Sequence, residues 1–169
     1  IRGECRYVVR AGSVRAEHRI RAWVEHVAMC AAHEQGVQGL PVSTCLIGKQ
    51  GIDERIGAVT DATALLDQLV RVIRKAHASP LPFFAQAGWA WFDAKRPRKK
   101  KSASKDPQQM AMNSYRRASG QFSMGGDIED PYVALCFRGV DPMDTSSWNE
   151  FEECAKLLFA KWIELGATQ

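Results

Sequence analysis

The chain has few cysteines, and they show no paired arrangement. Its 169 residues include five cysteines, an odd number, and none of them forms a Cys-x-x-Cys pair. All five lie in predicted strands or helices, where cysteine behaves as a small apolar residue. This usage disfavours a secreted, disulfide-stabilised domain and predicts a reducing, cytoplasmic environment.

Long apolar runs and common catalytic signatures are also missing. No segment approaches the ~18 uninterrupted apolar residues of a membrane span, and the first residues lack a signal-peptide pattern. The sequence contains no glycine-rich phosphate loop and no G-x-S-x-G nucleophile motif. The net charge of +4 is only a mild indication of an anionic partner.

Strand-like and helix-like patterns alternate along the chain, which predicts an α/β class. We expect a buried parallel or mixed sheet flanked by three long helices, in a single domain over residues 1–169. Since strand-like sequence begins almost at once, the chain is expected to be part of a longer polypeptide. Predicted strands cover residues 5–10, 42–47, 55–59 and 130–139. Predicted helices cover residues 14–32, 61–77, 85–94 and 107–118, with a last one beginning near Ser147.

Side-chain patterns on these helices predict their caps and their buried faces. Asp61 is expected to cap the second helix, and Ser147 with Glu150 matches a capping box for the last one. Arginines are expected to make the exposed side of the first helix basic: Arg15, Arg19 and Arg21. Apolar residues at helical spacing predict the buried stripe of the second helix: Leu65, Leu66, Leu69, Val72, Ile73 and Ala76.

The segment from Asp130 to Gly139 is predicted to be a strand buried on both faces. Asp130-Pro131 indicates a turn, because proline disfavours a helical conformation in the residue before it. The next six residues are aromatic, aliphatic or small, and no charge occurs before Arg138. Continuous apolar strands of this kind are typical of sheets covered on both sides.

A zinc site was considered for His26, Cys30 and His33, which share one face of the first helix. Zinc requires four ligands, and no other cysteine or histidine has a companion spacing. We therefore favour packing of Cys30 into the core, with the histidines at the edge of the apolar stripe.

The triplet Asp93-Ala94-Lys95 matches the Asp/Glu-x-Lys pattern of Mg²⁺-dependent nucleases. In such sites carboxylates hold the metal and the lysine orients water. The triplet follows a poor strand, and the strand residues 42–47 and 132–137 contain no carboxylate that could bind metal. We expect no catalytic residues and no metal ligands in this chain.

A basic segment is the candidate nucleic-acid contact. Seven of the eleven residues from Lys95 to Lys105 are basic. The candidate phosphate-binding residues are Arg98, Lys99, Lys100, Lys101, Arg116 and Arg117. The alternative is that residues 95–126 form a solvated, disordered basic insertion, as like-charged runs often do. Trp89, Trp91 and Phe92 suit base stacking, but their helical spacing favours core packing.

Several separated segments resemble the C-terminal domain of RecC, the gamma subunit of bacterial exodeoxyribonuclease V. The segments that carry the resemblance are Arg19–His26, Ser43–Gly48, Leu65-Leu66, Leu81–Phe84, Asp130–Gly139, Asp141–Asp144 and Phe151–Phe159. They occur in the family's order. Residues 95–126 do not align with the family pattern.

The resemblance implies a restriction-endonuclease-like core, a degenerate PD-(D/E)xK nuclease fold without its catalytic residues. It implies a non-catalytic scaffold and DNA-handling role in an ATP-dependent helicase–nuclease of double-strand-break repair and recombination. The implied partners are the beta and alpha subunits, RecB and RecD, with DNA bound through the complex in the bacterial cytoplasm. ATP and Mg²⁺ would belong to those partners, so this chain is expected to hold no cofactor.

Two other functions are consistent with the residues. One is an active Mg²⁺-dependent nuclease that uses Asp93 and Lys95. The other is a free-standing basic DNA-binding module, whose affinity would depend steeply on salt.

Overall fold

The computed structural model describes residues 5–96, 106–120 and 125–160. The described strands are β1 Cys5–Val9, β2 Ser43–Gly48 and β3 Gly51–Ile56. The described α-helices are α1 Ala16–Glu34, α2 Ala62–Ala78, α3 Ala85–Lys95, α4 Pro107–Tyr115, α5 Pro131–Cys136 and α6 Trp148–Ala155. A 3₁₀ turn at Asp127–Glu129 precedes α5, and a π-helical segment at Lys156–Ala160 continues α6.

The chain divides into two compact units. The first unit holds the described residues up to Arg74, and the second holds residues from Lys75 to Ala160. The expectation of one domain over residues 1–169 stays a prediction. No helix among the described residues is long and apolar enough to cross a membrane.

The first unit is built on a small mixed sheet with strand order β1-β2-β3. β1 and β2 run parallel, and α1 is the crossover that a parallel pair requires. β2 and β3 form an antiparallel hairpin, in which Gly51 follows the turn with φ of +107°. The predicted mixed α/β arrangement is therefore confirmed. The third strand begins at Gly51 rather than at Arg55 because this tight hairpin starts it earlier.

α1 covers one face of the sheet with its apolar stripe. Trp23 and Val27 are fully buried, as is Leu46 on β2. Strand alternation places Arg6, Thr44 and Glu54 on the same face of the sheet, since residues two apart point the same way. Each of these three polar residues contacts a side chain of α1.

His26 is the buried polar residue that joins α1 to two other segments. Its Nδ1 lies 3.0 Å from the Thr44 hydroxyl of β2, and its Nε2 lies 2.8 Å from the Gly57 carbonyl after β3. A carbonyl can only accept, so Nε2 carries a proton and donates to Gly57. Burial lowers the pKa of His26 and so favours the neutral imidazole. In that form Nδ1 accepts a hydrogen bond from the Thr44 hydroxyl.

The start of α2 is capped by a residue of α1 rather than by Asp61. Glu34 accepts hydrogen bonds from the backbone of Ala62 at 2.7 Å and of Thr63 at 2.9 Å. Asp61 has φ of +55°, whereas a helix N-cap residue has extended backbone angles. The prediction of Asp61 as the cap was wrong because a carboxylate distant in sequence satisfies the same amides.

The buried stripe of α2 is shorter than its spacing predicts. Leu65 and Leu69 are buried, but Ile73 is 50% exposed and Ala76 is also exposed. An amphipathic pattern specifies which face of a helix is apolar, not how far along the helix that face is covered.

The second unit has an aromatic core formed where α3 packs against α4 and α6. The ring of Phe159 is fully buried and lies 5.5 Å from Trp89 and 5.7 Å from Phe92, between ring centroids. Gly88 is required at this position of α3, because a Cβ there would lie 2.7 Å from the ring of Phe83. The predicted core packing of this tryptophan-rich helix is confirmed.

The segment predicted as a buried strand forms helix α5 instead. Pro131 occupies the first helical position, and the Asp130 carboxylate accepts from the Tyr132 amide at 2.8 Å, as a helix N-cap does. The segment is also on the surface, since Tyr132 is 77% and Leu135 is 55% exposed. An Asp-Pro pair marks a helix start as readily as a turn before a strand, and the apolar run does not decide between them.

The predicted capping box at α6 is also absent from the structure. Ser147 makes no side-chain capping bond, and its backbone amide donates to the Asp144 carboxylate at 3.0 Å. Glu150 forms an ion pair with Lys75 instead of reaching back to the helix start. Both capping groups therefore have other partners.

We predict that the stability of the protein falls between pH 7.5 and pH 5.5. The unfolded histidine has a pKa of about 6.5, whereas burial lowers that of folded His26. Protons taken up only by the unfolded state therefore destabilise the fold as pH decreases. Urea unfolding of His26→Gln should show a weaker pH dependence than that of the wild type, with His33→Gln as the exposed control. His18, whose pKa is also lowered, should preserve part of the pH dependence in the His26→Gln variant. Equal slopes of unfolding free energy against pH for the wild type and for His26→Gln would contradict this account.

Candidate nucleic-acid interface

Arg116, one of the predicted phosphate-binding residues, has a protein partner. It follows α4, and its guanidinium lies 2.5 Å from the Asp141 carboxylate. This ion pair is half exposed, so it is screened by water and salt and holds the side chain only weakly. A phosphate would have to compete with Asp141 for this guanidinium.

Arg117 is tied to the start of α3. Its guanidinium donates to the Gln86 side chain at 2.5 Å. The Gln86 and Ala87 amides in turn donate to the Asp127 carboxylate, which caps α3. A cavity of about 460 Å³ beside Gln86 is also lined by Asp127, Glu129 and Asp130. This acidic lining opposes phosphate binding near Arg117.

The other four predicted contact residues, Arg98, Lys99, Lys100 and Lys101, lie outside the described residues. Their role in phosphate binding stays a prediction. Of the predicted interface, the structure describes only Arg116 and Arg117, so the described residues do not form the complete interface.

The Asp93-Ala94-Lys95 triplet lies on helix α3, not on a strand. Residues two apart on a helix point to different faces, so this carboxylate and ammonium do not converge as metal-site chemistry requires. Lys95 Nζ lies 2.9 Å from the Glu152 carboxylate and 4.0 Å from the centroid of the Trp91 ring. The hydrogen bond from Lys95 lowers the pKa of Glu152. Lys95 thus joins α3 to α6 in a structural role.

The histidine and cysteine face of α1 has the geometry of a packed core. The Nε2 of His26 carries a proton that it donates to Gly57, which leaves no lone pair there for a metal. Cys30 is buried, as predicted, and burial raises the pKa of its thiol. His33 is exposed. Among the described residues, no three histidine, cysteine or acidic side chains are grouped closely enough to hold a metal ion.

Two of the three arginines expected on the exposed face of α1, Arg19 and Arg21, form ion pairs closer than the 4.0 Å pair of Arg15 with Glu17. Arg19 is 9% exposed and lies 3.6 Å from the Glu54 carboxylate of β3. Arg21 lies 2.9 Å from Glu25, which also binds Arg6 of β1. The prediction that Arg19 is exposed was wrong because its amphipathic position places it over β3.

A second concentration of positive charge lies where β1 and β2 end. We call it the sheet-end cluster, consisting of Arg10, Arg15, His18 and Lys49. The Arg10 amide donates to the Ile47 carbonyl at 2.8 Å, and the Lys49 amide donates to the Gly12 carbonyl at 3.1 Å. Sequence analysis missed this grouping, because its members come from three segments. The available signal was that Arg10 ends one predicted strand and Lys49 closely follows another, and the two strands could pair in parallel.

His18 reports how close these charges are. Its Nδ1 accepts a hydrogen bond from the Arg15 amide at 3.1 Å at the start of α1. Burial lowers the pKa of His18, and the positive charge of Arg10 lowers it further. His18 therefore lies close enough to Arg10 to be affected by its charge.

Comparison with protein families decides which family this chain belongs to. The family model of the RecC C-terminal domain matches residues 1–96, more than half of the 169 residues. The chain belongs to the RecC C-terminal domain family. No curated protein matches the chain.

The RecC match covers every described residue of the first unit and extends through α3. The segments at 19–26, 43–48, 65–66 and 81–84 that carry the resemblance lie inside it. The segments from Asp130 onward lie outside it. The sheet-end cluster therefore falls in the part of the chain that RecC similarity supports, whereas Arg98–Lys101, Arg116 and Arg117 do not.

We predict that the substitution Asp93→Ala does not change the extent of cleavage of linear DNA incubated with the chain and Mg²⁺. The reason is that Asp93 and Lys95 lie on different faces of α3 and cannot form a shared metal and water site. Gel analysis of end-labelled DNA over time compares the variant with the wild type, and Asp106→Ala serves as a control for loss of an exposed helix carboxylate. Cleavage by the wild type that disappears only in Asp93→Ala would overturn this assignment.

Proposed function

We propose that this chain is a non-catalytic C-terminal domain of the exodeoxyribonuclease V gamma subunit. It would act as a scaffold and DNA-handling part of the RecBCD helicase–nuclease in double-strand-break repair and recombination. The observation that carries the proposal is the RecC family match over residues 1–96. RecC is a component of RecBCD, so RecB and RecD are the expected protein partners. The complex acts in the bacterial cytoplasm.

We propose that the first unit is a degenerate restriction-endonuclease-like core, which has the fold of such a nuclease without its catalytic residues. The mixed sheet with α1 as its crossover supports this view. β2, the central strand, carries no carboxylate, and Glu54 of β3 is paired with Arg19. Those strands therefore present no pair of free carboxylates of the kind that holds Mg²⁺ in a nuclease. ATP hydrolysis and Mg²⁺-dependent cleavage are assigned to the partner subunits.

The second unit offers a surface that suits contact with a subunit. Tyr132, Leu135 and Val140 are each more than half exposed. They lie on or just after α5, and Val140 lines a cavity of about 320 Å³ together with Ile128, Val133 and Phe137 among others. Exposed apolar side chains grouped beside a recess are typical of protein–protein contacts rather than of isolated surfaces. We assign this surface to the RecB or RecD subunit.

Association with the other subunits is the test of the proposed function. The tagged chain, co-expressed with RecB and RecD, should co-elute with them in affinity and size-exclusion chromatography. The tag alone and an unrelated tagged α/β domain serve as controls. Elution of the chain by itself, with RecB and RecD in separate fractions, would refute the proposal.

The apolar surface on α5 has its own prediction. Tyr132→Ser with Leu135→Ser should weaken association with the subunits at least several-fold, because both side chains are largely exposed and removing them costs little in folding. Pull-down at a series of salt concentrations measures the effect. Ile73→Ser on α2 is the matched control, since Ile73 is a similarly exposed apolar residue. Equal association of the two variants would place the contact elsewhere.

A further inference from the structure

The sheet-end cluster brings cations from separate segments to one surface of the first unit. Parallel pairing places the carboxyl ends of β1 and β2 at the same edge, so the backbones of Arg10 and Lys49 leave the sheet next to each other. The backbone bond between Lys49 and Gly12 extends this pairing into the loop before α1. Arg15 lies at the other end of that loop, where it precedes the first turn of α1.

The charges in this cluster are available for an external anion. Arg10, Arg15 and Lys49 are all exposed. Among the residues that the structure describes, no carboxylate forms an ion pair with Arg10 or Lys49. Arg15 forms an ion pair with Glu17 at 4.0 Å, and both of these side chains are about half exposed. Such a pair contributes little and yields readily to a better ligand.

The loop that follows Arg10 has small side chains and leaves space for a ligand. Residues 11–13, Ala-Gly-Ser, are small and exposed. A Cβ added at Gly12 would meet no atom within 4 Å. A bulky polyanion can therefore approach the loop closely, beside segments that carry three exposed basic side chains. By contrast, Arg116 and Arg117 are already bound to protein groups and lie near acidic residues.

We infer that the sheet-end cluster is a nucleic-acid contact surface, in which Arg10, Arg15 and Lys49 bind successive backbone phosphates. This inference rests on the proposed function, since it names the residues through which the domain handles DNA. Closely spaced phosphates match closely spaced cations, and each neutralised phosphate releases counterions. Contacts of this kind carry no base specificity, which suits a protein that follows DNA of any sequence.

The test compares two variants that remove the same charge from the same unit. Arg10→Ala with Lys49→Ala removes two cluster cations, and Arg71→Ala with Arg74→Ala removes two exposed cations of α2. Fluorescence anisotropy measures binding of the full chain to a labelled single-stranded oligonucleotide and to its duplex over a NaCl series. The cluster variant should bind several-fold more weakly at low salt, and the slope of log K against log salt should become shallower by about 2. The α2 variant should keep the wild-type slope.

Three outcomes would overturn the inference. The first is that the cluster variant keeps the wild-type slope of log K against log salt. The second is that the α2 variant loses as much affinity for the oligonucleotide as the cluster variant, which would indicate general electrostatic attraction rather than a defined contact surface. The third is displacement of the oligonucleotide by polyglutamate at equal charge, because the surface would then serve acidic proteins rather than nucleic acid. Thermal unfolding of both variants checks that they are folded. Failure here leaves co-elution with RecB and RecD, the test of the proposed function, unaffected.

Discussion

The buried imidazole of His26 is the constraint on which the first unit depends. It lies on α1 and forms hydrogen bonds to β2 and to the segment after β3, so one side chain fixes the helix against the central strand and the hairpin. A buried polar group must find all of its partners, or it costs more than an apolar residue would. His26 therefore specifies one register of α1 on the sheet, and the apolar residues around it fill the remaining space.

Local sequence patterns correctly predict those strands and helices whose periodic apolar residues are buried in the structure. β1, β2 and α1 were found because apolar residues recur at the right spacing on segments that are in fact covered. α5 was predicted wrongly because its apolar residues face solvent, so composition indicated burial that does not exist. The cap of α2 could not be predicted either. It depends on Glu34, and nothing in the residues next to Asp61 shows that α1 ends beside them.

Sequence patterns are similarly limited in predicting which charged side chains are available to a ligand. A contiguous basic segment such as Arg98–Lys101 is visible in any sequence, but whether a cation is available depends on tertiary partners. Arg19 and Arg116 are equally basic in sequence, yet each faces a carboxylate in the fold. Arg10 and Lys49 are far apart in the chain and become neighbours only through parallel pairing. The family match over residues 1–96, which depends on many positions together, identified the family where single residues could not.

The bond from Glu34 to α2 also has a consequence for how the first unit assembles. The carboxylate lies 28 residues before the amide that it caps, so the first turn of α2 gains this support only after α1 is formed and positioned. Two helices that would be separate local units are thereby made interdependent. Loss of the end of α1 also exposes the start of α2, and opening of the two is expected to be cooperative rather than sequential.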